Sequence, residues 1–170
     1  MKKLQGLVPA RSRQALMLAV LLIGSVASFT LIRHYVVGFV EISGSSVTPN
    51  LEQGQIHILH KWRLLTGEPV RGTIVAIRDP IDDDFSVKRI IGLPLERIDL
   101  KDDRVYIDDS LFEEVYVSRR TITRPLLAHM KSFELGTDEF FLLGDHREDS
   151  VDSRFYGPVT KDRIVGMIYP

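Results

Sequence analysis

The chain has 170 residues, enough for one domain plus a short additional segment. Its 22 basic and 23 acidic residues nearly cancel, so bulk charge gives no reason to expect a nucleic-acid partner. It contains no cysteine, which excludes disulfides, thiolate metal sites and cysteine nucleophiles.

Ala15 to Ile32 (ALMLAVLLIGSVASFTLI) carries no charge. As a helix it spans roughly 27 Å, close to the thickness of the hydrocarbon core. Lys2, Lys3, Arg11 and Arg13 precede it, and Arg33 and His34 follow. The heavier positive flank predicts a cytoplasmic N-terminus and a catalytic part outside. A cleaved secretory signal and a buried core helix are the competing readings. The apolar run continues past Ala27, unlike a signal that ends in a small-residue cleavage box. The expected organisation is therefore residues 1–14 in the cytoplasm, 15–32 as transmembrane anchor in the cytoplasmic (inner) membrane, and 36–170 as an extracytoplasmic domain.

After the anchor the pattern is mostly strand. Tyr35 to Ile42 is rich in β-branched and aromatic residues, and Gln55 to His60 partly alternates. Thr73 to Ile77 is a short apolar run closed by Asp79-Pro80, and Ser86 to Ile91 is another, closed by Gly92-Leu93-Pro94. Arg97–Leu100 and Arg104–Ile107 flank the polar turn Lys101-Asp102-Asp103, which predicts a hairpin. Phe140 to Leu143 ends at Gly144-Asp145, and Ile164 to Ile168 is the last run. The fold class is mainly β, a catalytic domain of short antiparallel strands preceded by one N-terminal transmembrane helix. Val115 to Phe133 is locally basic through Arg119, Arg120, Arg124, His129 and Lys131. It reads as a solvated hairpin or loop, or as a patch that meets anionic headgroups. Ile81-Asp82-Asp83-Asp84 is an acidic loop without the wider pattern of a cation site.

A serine hydroxyl is a weak nucleophile until a base takes its proton. None of the five histidines has a triad context, and His57 and His60, three apart on a strand, face opposite ways. Lysine can serve if neutral. An exposed lysine, with a pKa of about 10.4, is neutral only about once in two thousand at pH 7, but burial depresses that value. Lys88 lies in a run, Phe85 to Ile91, that otherwise reads as a buried strand. Lys88 and Arg89 point to opposite faces, so one is expected on the core side and the other toward solvent. Local sequence alone favours an ordinary edge-strand lysine.

Four segments in this order settle the choice: Ser43-Gly44-Ser45-Ser46-Val47-Thr48-Pro49, Arg71-Gly72-Thr73-Ile74-Val75, Val87-Lys88-Arg89-Ile90-Ile91-Gly92-Leu93-Pro94, and Gly144 through Arg154. From about Val40 onward the chain resembles the type I signal peptidases, serine–lysine dyad proteases. The resemblance implies a membrane-bound endopeptidase that cleaves signal peptides from exported preproteins. Its partners would be those signal peptides and the lipid bilayer, with no nucleic acid, no metal and no cofactor. It puts the general base at Lys88. The family motif Ser-Met-x-Pro-Thr-Leu, registered on Pro49, puts the nucleophile at Ser46 and matches Leu51, with Val47 and Asn50 replacing the usual methionine and threonine; Ser45 is the alternative nucleophile.

The same resemblance implies that Ser150 orients the Lys88 amine and that Asp152 and Arg154 form an ion pair fixing their loop. His146 and Glu148 depart from the usual Asn and Asp there, and Leu95-Glu96 from the usual Gly-Asp. The backbone N–H of Ser46 is the natural first oxyanion donor. The family's second donor position is Gly44, which has no hydroxyl. Val40, Ile42, Val47, Leu51 and Val87 are expected to line a small apolar substrate pocket. Arg71 to Val75 reads as a turn feeding a core strand, with no reacting role. Alternatives are a dedicated maturation peptidase for a pilin or secretion-system component, and a catalytically inactive accessory homologue. Self-cleaving repressors share such a dyad but need a DNA-binding domain where this chain has its apolar segment.

Overall fold

The computed structural model describes residues 10–41, 54–118, 121–126 and 130–169. Gly44, Ser46, Val47 and Leu51, together with Ile42, lie outside the described residues. Two compact units divide at Val36. The first holds one helix, α1 (Ala10–Tyr35). It is apolar around its circumference, and its side chains from Ser12 onward are exposed. Such a helix needs an apolar solvent, and at this length and composition Ser12–Tyr35 fits a single membrane span. It runs beyond the apolar segment at both ends, because Arg13 and Arg33 have long stems that tolerate helical positions with their charges outside the lipid.

The second unit is mainly antiparallel β. Its strands are β1 (Val37–Glu41), β2 (Ile56–His60), β3 (Ile74–Arg78), β4 (Phe85–Gly92), β5 (Arg97–Lys101), β6 (Arg104–Ile107), β7 (Ser110–Leu111), β8 (Ser132–Glu134), β9 (Glu139–Leu143), β10 (Val159–Thr160) and β11 (Ile164–Ile168). Two one-turn helices, α2 (Arg63–Thr66) and α3 (Ser153–Tyr156), interrupt them. Seven strands form one sheet in the order β1-β2-β11-β3-β4-β9-β10, and four form a second, β7-β6-β5-β8. The expected hairpin at Lys101-Asp102-Asp103 is β5–β6, paired from Ile98↔Ile107 to Lys101↔Arg104. Gly72 turns the chain into β3 at a φ of 84°, in the left-handed region where a side chain is strained.

Alternation along β4 assigns its side chains to different clusters. Val87 joins Leu59, Ile74, Ala76 and Ile168, with Val40 packed against them. Ile90 joins Val75, Ile77, Phe140, Leu142 and Met167, with Tyr156 packed alongside. Ile91 joins Ile98, Val105, Leu135, Phe141 and Leu143, which ties the second sheet to the first. Burial of these side chains contributes roughly 1.5–3 kcal/mol each. The core thus holds β4 from both sides, and β4 carries the candidate base.

Candidate active site

Lys88 sits mid-strand opposite Val75 of β3, on the face shared with Ile90. Only 4% of it is exposed. An amine with an apolar cluster around its stem loses hydration, and burial pushes Lys88 below the usual lysine range. The Asp152 and Asp79 carboxylates pull it back up, and the Arg154 guanidinium pushes it further down. The neutral amine, a potential proton acceptor, is thereby favoured.

Arg89, the neighbour expected to meet solvent, is also buried. The reason is the cover on its face. Its guanidinium donates to both oxygens of Asp145, at 2.8 and 2.6 Å, and to the Gly72 carbonyl at 2.7 Å. The Tyr116 ring stacks 4.2 Å away. A charge so completely paired can stay inside. Both faces of β4 are therefore interior, one holding a lysine with lowered proton affinity and the other a fixed ion pair.

The segment after β9 wraps beside Lys88. Arg89 pairs with Leu143 in the strand register, so Gly144, the next residue, stands across from Lys88. Asp152 caps α3, accepting from the Arg154 backbone N–H, and its other oxygen accepts from Gly144 N–H at 3.0 Å. Arg154 grips the same carboxylate with two bonds of 2.8 Å and donates to the carbonyls of Arg147 and Ser150. Ser153 Oγ accepts from the Leu142 N–H. These bonds clamp the loop to β9. Ser150 is buried within it, and its hydroxyl has no hydrogen-bond partner among the described residues. A buried hydroxyl left alone costs about 1–3 kcal/mol, which an adjacent reacting group can offset.

A groove of about 320 Å³ opens on the other side of β3 and β4, lined by Phe39, Val40, Leu59, Ala76, Phe85 and Val165 among others. Val40 lines it. Val87 does not; it is 7% exposed and lies in the core cluster with Leu59 and Ala76, two of the lining residues. Among the described residues no group of His, Asp and Glu is arranged to hold a metal ion.

A family profile described as "Signal peptidase, peptidase S26" matches residues 13–169. The chain belongs to the signal peptidase family. It is 34% identical to signal peptidase I T of Bacillus subtilis (strain 168) over 142 residues, 80% of this chain and 74% of that protein. It is 32% identical to signal peptidase I of Bacillus amyloliquefaciens over 148 residues, 84% of this chain and 77% of that one. A solved signal peptidase I from Enterococcus faecalis V583 aligns with a TM-score of 0.49 at 27% identity, over 61% of this chain and 98% of that one. Membership in this family of serine peptidases makes the chain a hydrolase of the signal-peptide-cleaving kind.

Three residues of this family member's site have no counterpart in the motif reading. Tyr156 stands near both Asp79 and Asp152, Asp79 faces Lys88, and Glu114 anchors Arg147 behind the loop. Asp79 is visible in sequence only as the residue that closes a strand before Pro80. Tyr156 and Glu114 carry no local signal: Tyr156 is placed by the one-turn helix that Asp152 caps, and Glu114 by pairing with Arg147, 33 residues away.

Proposed function

We propose that the chain is a single-pass membrane serine endopeptidase that removes N-terminal signal peptides from exported preproteins, with Ser46 as nucleophile and Lys88 as general base. Residues 1–14 lie in the cytoplasm, 15–32 form the anchor, and 36–170 form the catalytic domain outside the inner membrane. Ser46 Oγ attacks the scissile carbonyl while its proton passes to Lys88 Nζ. The resulting ammonium gives that proton to the leaving amine, an acyl-enzyme remains, and Lys88 then takes a proton from the hydrolytic water. Ser150 holds the amine on line. The Ser46 backbone N–H faces the oxyanion; Gly44 brings no hydroxyl to it. Ile42, Val47 and Leu51 join Val40 in forming the apolar substrate subsites.

The observation that carries this reading is a buried lysine whose amine is driven toward neutrality, beside a loop holding a buried hydroxyl without a partner. Neither feature stabilises a fold, and each is what a lysine base requires. The anchor confines the enzyme to the surface where signal peptides emerge.

The test is cleavage of several unrelated preproteins by the detergent-solubilised chain. Ser46→Ala and Lys88→Ala each lower turnover by at least about 10³-fold, with unchanged circular dichroism. Substantial residual turnover in either variant removes the dyad. Cleavage confined to one substrate class would replace the general role with maturation of a pilin or secretion component.

A further inference from the structure

The loop from Asp79 to Asp84 holds four aspartates, and three of them are exposed. Asp79 alone turns inward, with 9% of its surface exposed. The loop is built around that turn: Asp79 N–H donates to the Asp84 carbonyl at 2.8 Å, and Asp83 N–H to the Asp79 carbonyl at 3.0 Å. The carboxylate accepts from Ile81 N–H at 3.0 Å and from Ser86 Oγ at 3.2 Å. Ser86 lies on β4 two residues before Lys88, on the same face, so the two side chains leave the strand about 7 Å apart. Asp79 falls between the segments 71–75 and 87–94 and belongs to neither.

We propose that Asp79 is a positioning residue for the peptidase reaction, its inward-turned carboxylate governing the proton exchange of the Lys88 amine. This rests on Lys88 being the base.

The charged and titratable groups facing Lys88 come from two places. The 144–156 segment brings Asp152, Arg154 and Tyr156, and the β3–β4 loop brings Asp79. Asp152 is matched by the guanidinium of Arg154, bonded to both its oxygens. The Asp79 carboxylate accepts from neutral donors, and the nearby Arg163 guanidinium donates at 3.3 Å to the Asp79 backbone carbonyl rather than to the carboxylate. Its field therefore reaches Lys88 without a cation bonded to the carboxylate, unlike that of Asp152. Tyr156 has a buried hydroxyl, and burial first, then Asp79 and Asp152, raises it far above the working range. Tyr156 stays neutral throughout, so it adds no charge.

The consequence has a definite sign. An ammonium forms on Lys88 when it accepts the proton, and a nearby carboxylate favours that form. With Asp79 neutralised, Lys88 gives up its proton at lower pH. The experiment is the pH dependence of kcat/KM for preprotein cleavage by the full chain in detergent, for the parent, Asp79→Asn, Asp79→Glu and Lys88→Ala. Asp79→Asn is isosteric: its amide oxygen accepts from Ile81 N–H and its amide nitrogen donates to Ser86 Oγ, so both contacts are kept without the charge. It moves the acidic limb down by roughly one pH unit. Asp79→Glu keeps the charge and leaves the limb with the parent. An Asn profile superimposed on the parent's, or a Glu profile displaced as far down as the Asn one, overturns the proposal. Should the Asn variant fail to fold, Asp79→Ser is read against the same two outcomes. Turnover by Lys88→Ala removes the underlying dyad instead, so the two failures are distinguishable.

Discussion

At the scale of single residues, Lys88 is a liability to the fold. Between its lowered value in the folded chain and the ordinary lysine value of 10.5, the unfolded chain holds a proton that the folded chain does not. Stability therefore rises with pH across that window, and the penalty is largest below it, where burial of the charged amine is complete. Lys88→Met fills the same space without an amine. It is expected to raise the unfolding free energy by about 1–3 kcal/mol at neutral pH, with the gain shrinking as pH approaches 10.5. Thermal melts of parent and variant across that range check it, and a gain constant with pH would show that burial leaves the proton affinity of the amine unchanged. The burial of Lys88 was not legible from its surroundings in sequence, because a charged letter inside an apolar run more readily describes an edge strand; the family resemblance alone singled it out. Arg89 was misread for a related reason. Alternation predicts opposite faces correctly, but it says nothing about what covers each face, and here Asp145, fifty-six residues away, does so.

At the scale of elements, the strands with β-branched or aromatic runs were legible almost to the residue: β4, β9, β11 and the β5–β6 hairpin. The short pieces β7, β8, β10, α2 and α3 were not. Two to four residues hold too little pattern, and their form is set by what they pair with. α3 is an example, since its only sequence cue is the Asp152 cap. The stretch from Val115 to Phe133, read as a solvated hairpin or loop, has no strand among its described residues until β8 begins at Ser132. Together with Glu114 just before it, it nevertheless has a structural task invisible in sequence. Glu114 pairs with Arg147, whose side chain is 1% exposed, and Thr123 accepts from the same guanidinium. Arg147 Nε also donates to the Gly144 carbonyl at 3.0 Å, so this loop braces the one that carries Ser150. Glu114→Ala leaves a buried guanidinium without its carboxylate and is expected to cost about 3–5 kcal/mol. Urea titration of the full chain in detergent measures it. Loss below about 1 kcal/mol would mean that Arg147 swings out to water, and the bracing role would go with it.

For the whole molecule, the proposed direction across the membrane rests on charge and on where the chemistry is needed. The helix Ser12–Tyr35 is long and apolar enough to span, and the basic residues on its N-terminal side outweigh those following it. Retention of that flank in the cytoplasm, as proposed, would leave everything after Tyr35 on the far side. A lysine base in a domain on the cytoplasmic side would never meet a signal peptide whose mature part has already crossed. The prediction is that protease added to intact spheroplasts degrades the chain down to a fragment of the N-terminal helix, whereas a cytoplasmic marker survives. The charge argument is tested separately by substituting Lys2, Lys3, Arg11 and Arg13 with Gln while adding lysines after Tyr35. Because each basic residue near a helix end biases orientation, this variant is expected to invert a measurable share of the chains and to lower preprotein cleavage in the same proportion. Inversion without loss of cleavage would place the reaction on the cytoplasmic face, and protection of the parent chain's β domain in spheroplasts would do the same.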